Sequence, residues 1–354
     1  RFRIPAAGGA LYHESNYTLG RWRFTAGLRF DFEHARLRYR NYTDTWYTKT
    51  HIKNETAYER PIDIDDRSTL KQTFTELLPK FSVMYSFDET RNLYLTIAKG
   101  YKSGGFNTQI FSDVLQQKMM NRMGIGEVYD VQRGVAYKPE YSWNYEVGFK
   151  SSWFNNRVNF NTSLFYIDLS DQQVTQVLPT ANTVIRNAGK SRSMGFEVEA
   201  SALITEGLLF EGSFGYTDAK YRRYSDKVSG MDYAGNRTPL APEYTYNLAL
   251  QYSLPLLESF DFFHKEDSLT WITRAELQGV GKFYWNDANT LKQDPYELVN
   301  LRTGLETDNY SITFWAKNVF DKKYNCVAFA FSGSSALAQV GAPRSFGVTF
   351  RADF

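Results

Sequence analysis

Between Arg21 and Glu33 the chain alternates without a break. Trp22, Phe24, Ala26, Leu28, Phe30 and Phe32 take one set of positions, and Arg21, Arg23, Thr25, Gly27, Arg29, Asp31 and Glu33 take the other. An extended strand sends successive side chains to opposite faces, so this pattern makes one apolar and one polar face; a helix would mix the two sets. The period returns at Trp143, Tyr145, Val147 and Phe149 against Asn144, Glu146, Gly148 and Lys150. It returns again at Met194, Phe196, Val198 and Ala200 against Gly195, Glu197, Glu199 and Ser201. Near the end, Phe346, Val348, Phe350, Ala352 and Phe354 oppose Ser345, Gly347, Thr349, Arg351 and Asp353.

Composition narrows what such strands build. Mean hydropathy is -0.48, and no run approaches the roughly 18 apolar residues of a membrane helix. A disordered chain is excluded by 42% apolar and 17% aromatic residues, which can bury far more surface than charge repulsion opposes. With 41 Lys plus Arg against 39 Asp plus Glu, a net +2, and no polybasic tract, no nucleic-acid partner is expected. A single Cys excludes an internal disulfide. The chain opens on Arg1-Phe2-Arg3-Ile4-Pro5, without an export signal, and reads as a fragment.

Alternating segments define about thirteen strands, starting near residues 10, 21, 70, 92, 140, 157, 191, 207, 242, 268, 296, 310 and 343. Short turns at Leu19-Gly20, Asp88 to Arg91, Asn155-Asn156, Thr205-Glu206 and Asp308-Asn309 alternate with long loops at 41 to 66, 103 to 138, 171 to 189, 222 to 240, 283 to 295 and 319 to 342. Pro255 to Asp267 is longer than its class predicts. Antiparallel hairpins with short turns at one end and long loops at the other describe a transmembrane β-barrel, its short turns in the periplasm. A soluble β-sandwich also alternates, but its loops need not sort by end and its apolar faces are hidden. A polar face carrying Arg29, Asp31, Glu33, Glu146, Lys150, Glu197, Glu199, Arg274, Glu276 and Arg302 suits a wide lumen.

Specific strings carry a family resemblance. "LLPKFSVMYSF", "LYLTIAKGYKSGGFN" and "YKPEYSWNYEVGFKSSWFNNRVNFNTSLFYIDLSDQQV" resemble the barrel of TonB-dependent outer-membrane receptors. So do "NAGKSRSMGFEVEAS", "GNRTPLAPEYTYNLALQY", "WAKNVFDKKY" and the closing "GAPRSFGVTFRADF". The likeness runs from about Leu11 to Phe354, in the branch that imports ferric siderophores. It implies an all-β transmembrane barrel of about 22 strands, of which residues 1–354 are the C-terminal portion, from about the tenth strand onward. The plug domain and the box that pairs with TonB are then expected upstream of this chain. The resemblance further implies TonB as partner, outer-membrane lipid as surroundings, and a ferric siderophore or similar chelate as transported ligand. Cobalamin, haem, a saccharide or a passive porin role are the alternatives.

Local readings accompany these strings. Gly104-Gly105 releases a strand into a long loop, and Gly195 leaves room on the lumen face for close packing, by resemblance of the plug. Asn318 to Tyr324 reads as a strand terminus with turn-forming Asn and Asp. Phe354 closes the last alternating set, which resembles a barrel-insertion signal.

Enzyme constellations are scarce: there is no GxSxG, HExxH, Walker or CxxC motif, and His13, His34, His51 and His264 lie far apart. No catalytic residue, metal site or cofactor is expected. Asp63, Asp65 and Asp66 lack the Gly and distal Glu of a calcium loop. Glu197 and Glu199, about 7 Å apart on one strand face, read as lumen charges, and Cys326 as an incidental loop thiol. Ligand contacts belong instead to long loops rich in amphipathic aromatics. The candidates are Tyr42, Trp46, Tyr47 and His51 in the first loop, and Phe106, Asn107 and Arg122 in the longest. Arg222, Arg223 and Tyr224 open another, and Phe283, Tyr284 and Trp285 the next. Arginine forks suit anionic or catecholate oxygens, and flat Tyr and Trp faces suit aromatic ligands.

Overall fold

The computed structural model describes residues 1–51, 56–125, 134–177, 183–187, 189–226, 230–262, 265–330 and 336–353. In chain order the elements begin with β1 (Phe2–Arg3), β2 (Ala6–Leu19), β3 (Trp22–His51), β4 (Thr56–Ser86), β5 (Arg91–Lys102), β6 (Gly105–Phe106), α1 (Phe111–Arg122) and β7 (Ala136–Tyr137). They continue with β8 (Glu140–Trp153), β9 (Val158–Ser170), β10 (Gln173–Val177), β11 (Thr183–Asn187), β12 (Lys190–Thr205), β13 (Leu208–Arg223), β14 (Tyr244–Phe262) and β15 (Lys265–Val280). The remainder are β16 (Phe283–Tyr284), β17 (Lys292–Gln293), β18 (Tyr296–Glu306), β19 (Tyr310–Lys317), β20 (Asn325–Ala330), β21 (Ala336–Val340) and β22 (Ser345–Ala352).

Fourteen of the strands make one antiparallel sheet in the order β1-β3-β4-β5-β8-β9-β12-β13-β14-β15-β18-β19-β22, with β2 also on β3. Phe2 faces Tyr39 and Ala6 faces Ala35, so β1 and β2 line the same edge of β3. Pro5, which has no N–H to give, separates them while its carbonyl still accepts from Arg36 N at 3.0 Å. The wall is therefore thirteen positions wide, matching the alternating segments. Every neighbour is a sequence neighbour within the wall, as hairpin connection requires.

The faces follow from the period. Phe24, Leu28, Phe30 and Phe32 on β3, Leu77 and Phe81 on β4, Leu164 on β9, Phe214 on β13 and Phe314 on β19 stand exposed on the outward face, which a lipid solvent accepts and water does not. Short turns close one end. Gly20 there has φ +58 and Gly207 φ +87, and a Cβ on Gly207 would meet Ser253 O at 2.2 Å.

Two expectations are corrected by the structure. Residues 41–51 and 56–66, expected within a loop of 41 to 66, are strand instead: β3 and β4 run 30 and 31 residues and stay paired from Trp22↔Tyr85 to His51↔Thr56. Above the membrane both faces of a hairpin can be polar, so the apolar alternation that marks a strand in sequence fades while the backbone ladder continues. Residues 255–262 and 265–267 likewise continue a hairpin, with register shifts at Pro255/Leu257 and Leu257/Phe260, the first where proline removes a ladder donor. The other long connections carry structure of their own: α1 with β6 and β7, and the small hairpins β10-β11, β16-β17 and β20-β21.

Candidate ligand-binding vestibule

The long connections gather at one end of the wall and are tied to one another. On the upper part of β3 and β4 the inward positions Ala35, Leu37, Tyr39 and Leu70 form a buried cluster with Phe106, Ile110, Phe111, Val114, Val135 and Val184. Phe111 sits 4.5 Å from the Tyr39 ring, Asn41 Nδ2 donates to Phe111 O at 2.8 Å, and Lys118 pairs with Asp66 at 2.6 Å. Burial, reinforced by Asp66, pushes the Tyr39 phenol up to about 12. The hairpin thus acts as a backboard for α1.

Neighbouring loops are clamped by side-chain amides. Asn107, 7% exposed, donates to Ile185 O at 2.9 Å and accepts from Ile185 N at 2.7 Å. Gln173 reaches Ser103 O at 2.8 Å and Lys138 O at 3.1 Å, and Asn187 reaches Lys138 O at 2.9 Å. A second cluster joins three connections: Gln176 Nε2 donates to Tyr224 Oη and to Asp226 Oδ1, both at 2.9 Å. Tyr221 Oη donates to Asp287 Oδ1 at 2.6 Å, and Asn236 Nδ2 donates to Asp287 O at 2.8 Å. Burial raises the Asp287 carboxyl above its ordinary value, although both tyrosine hydroxyls work to lower it. Burial also raises the Tyr221 and Tyr224 phenols.

Below the loops lies the charged inner wall. Tyr94 covers Gly148 and donates to Glu146 at 2.7 Å. With Lys150, Glu197 and Glu199 they line a cavity of about 380 Å³. Beside it, Glu199, Glu211 and Arg274 line a further cavity of about 330 Å³, with Arg274 paired to Glu211 and, at 2.6 Å, to Glu276. Gly195 is on this face as expected, and a Cβ there would meet Tyr216 O at 1.9 Å and the ring of Phe165 at 2.8 Å.

The sequence-chosen residues separate by position. Phe106 and Asn107 are buried between loops. Tyr42 and Trp46 lie on the outward row of β3, 54% and 65% exposed, while Tyr47 occupies the row of Leu37, Tyr39 and Asn41. Arg122 is exposed at the end of α1. Arg222 and Arg223 are exposed at the end of β13, Arg222 with Asp168 at 3.4 Å, and Tyr224 is 2% exposed. Tyr284 has Lys282 5.8 Å above its ring. Trp285 packs on Phe283 at 4.8 Å, and its buried Nε1 has no hydrogen-bond partner among the described residues. The His51 side chain, His264 and Phe354 lie outside the described residues. Asn318 and Asp321 have φ of 49 and 51, and Asn318 accepts from Lys322 N at 2.8 Å, the turn role read from their residue types. Gln176 and Asp287 were missed, because each stands alone in its own loop and only the fold brings them together.

A sheet of thirteen sorted hairpin strands, apolar outside and charged inside, matches the family model for the "TonB dependent receptor-like, beta-barrel" over residues 3–319. The chain belongs to that family. Its members are outer-membrane receptors rather than enzymes. The chain is 25% identical to the pesticin receptor of Yersinia pestis over 285 residues, 80% of this chain and 37% of that protein. It is 26% identical to the ferrioxamine receptor of Yersinia enterocolitica over 320 residues, 88% of this chain and 38% of that protein. The fold is that of the ferric yersiniabactin uptake receptor FyuA from Yersinia pestis, with TM-score 0.73 at 21% identity, covering 100% of this chain and 46% of that one. The siderophore receptor PiuA from Acinetobacter baumannii gives 0.69 at 19%, covering 99% and 44%. The chain thus spans less than half the length of these relatives.

Proposed function

We propose that this chain is the wall and outer vestibule of a TonB-dependent receptor that captures a ferric siderophore or similar iron chelate and passes it inward by TonB-coupled transport. The observation that carries the reading is the loop assembly. Connections from five or more hairpins are locked together over a charged inner wall, an arrangement suited to holding one ligand above a lumen, and a passive pore has no need of such locking. The relatives named for ferrioxamine and ferric pyoverdine support an iron chelate as the leading ligand class. Of the candidate contacts, Tyr47, Arg122, Arg223 and Tyr284 are the first to test, with Arg222, Tyr42 and Trp46 at the outer rim. TonB would act through sequence outside this chain.

The test is uptake of radiolabelled ferric chelates under iron limitation, with the gene intact, deleted, and intact without TonB. Loss of uptake of at least one chelate in both altered strains is expected. Unchanged uptake of every chelate tried would overturn the iron assignment, and uptake independent of TonB would return the passive pore.

A further inference from the structure

Half of the chain's 6 methionines, Met119, Met120 and Met123, fall in one short stretch at the end of α1. That end is fixed by its own backbone. Gly124, at φ +79, donates to Asn121 O at 3.0 Å, and Ile125 N donates to Met120 O at 2.9 Å. Together these two bonds make the left-handed C-terminal cap that glycine permits. Met123 N closes the last turn onto Met119 O at 3.1 Å.

Packing of α1 sets where the three side chains point. Phe111 and Val114 are buried against β3 and β4, and Lys118 on the same side pairs with Asp66 of β4 at 2.6 Å. At about 3.6 residues per turn, Met119, Met120 and Met123 lie about 80° to 180° around the helix from Phe111. Lys118 and Arg122 lie within about 20° of Phe111, so neither cation stands over the methionines. Because β3 and β4 meet α1 with their inward row, the opposite side of the helix looks into the vestibule. The methionines do not fill the core, since none is among the buried residues and all three are half-buried. A solvent-facing helix side is ordinarily polar. Ser112 and Gln116 keep that rule on this side, and the three thioethers break it.

Spacing makes them one set. Met123 follows Met119 by four residues and Met120 by three, the separations that bring Cβ atoms to about 5–6 Å on a helix. Three flexible arms therefore reach a common point above the last turn. Thioether sulfur is a soft and neutral ligand that selects ions such as Cu(I) over the hard cations that oxygen holds. Three neutral donors cancel none of the ion's charge, which favours a monovalent ion, and the carbonyl end of the helix favours a cation. We propose that Met119, Met120 and Met123 form a thioether site for a soft monovalent cation, Cu(I) or Ag(I), on the vestibule face of α1. The site is separate from chelate capture, because it offers no oxygen to hard Fe(III).

The experiment uses the full-length receptor in detergent, with Cys326→Ser throughout because that exposed thiol would itself take silver. Silver(I) nitrate is the probe, titrated calorimetrically in chloride-free buffer, with zinc(II) as competitor. The parent is expected to bind one silver ion that the Met119→Leu, Met120→Leu, Met123→Leu variant loses. X-ray absorption of the parent at one equivalent of silver should show sulfur neighbours alone. Leucine preserves volume and helix propensity, and unchanged heat-modifiable mobility checks that the barrel is intact. Where the triple variant does not insert, Met123→Leu alone carries the test, with weaker silver binding expected. Equal silver stoichiometry and affinity in parent and variant would overturn the proposal. So would oxygen or nitrogen neighbours around the silver, or its displacement by an equal concentration of zinc(II).

Discussion

The two halves of the β3-β4 hairpin have the same backbone and opposite polarity. Below, Phe30 and Phe32 point outward and Asp31 and Glu33 inward. Above, Arg36, Arg38 and Arg40 point outward, and Leu37 and Tyr39 point inward under α1. On β4 the same inversion falls between Phe74, buried inward, and Leu77, exposed outward. The ladder passes through without a register shift. What changes is the solvent: lipid outside and a wet lumen inside below, water outside and packed loops inside above. A strand's apolar face therefore marks whichever side lacks water, and the point of inversion marks the membrane boundary.

The largest effect that would break this comparison is a charge on the upper inward face. Leu37→Asp places an unpaired carboxylate at a position with 0% exposure, at a cost of about 3–5 kcal/mol. The expected outcome is rapid proteolysis of the α1 connection with normal heat-modifiable mobility of the barrel; an unchanged proteolytic pattern would refute the packed upper face. Leu28→Arg tests the lower outward face and should destabilise insertion by about 2–4 kcal/mol in denaturant titrations in vesicles. Tyr42→Arg, outward but above the membrane, should change stability by less than about 0.5 kcal/mol. Equal costs at Leu28 and Tyr42 would remove the boundary.

The loop clusters sharpen the upper half further. Tyr221→Phe takes the 2.6 Å donor from Asp287 and should loosen the 222–240 and 281–295 connections by about 1–2 kcal/mol, visible as faster hydrogen exchange there and not in β8 or β9. Because burial raises the Asp287 carboxyl, its folded form favours the proton. The stability so gained is complete below the unfolded carboxylate value of about 4 and is lost as pH rises through the higher folded value. Exchange in these loops should quicken over that rise, and Asp287→Asn should flatten the dependence; an identical slope in the variant would remove Asp287 as its source. The smallest structural effect is expected from Arg222→Ala with Arg223→Ala. The exposed Arg222 pair with Asp168 contributes less than about 1 kcal/mol, so chelate binding should weaken by more than stability does, and unchanged binding would take both residues out of the site.

Legibility tracked the solvent. Each of the thirteen wall positions was readable because lipid on one side and a wet lumen on the other force an apolar and polar alternation into every strand. The upper hairpin was not, since Asn41, Thr43 and Asp44 alternate among polar residues that water accepts on either face, although Ile62 and Ile64 inward kept a trace of the period. Aromatic and Arg content pointed to the loops as the binding end, but not to which side chains face the mouth. Phe106 and Asn107 proved to be loop clamps, and Tyr42 and Trp46 to be outward.

By itself the sequence determined the strand period, the sorting of short turns from long connections, and the charged inner face, since each depends on neighbours two residues apart. Only the tertiary structure decided that Gln176 meets Asp226, that Tyr221 meets Asp287, and that Arg36 and Arg38 stand opposite Lys71 and Arg3. Those contacts join residues tens of positions apart, and no local spacing encodes them. Register and loop packing place them, because burial of the loop cores and continuity of the ladder are properties of the assembled sheet.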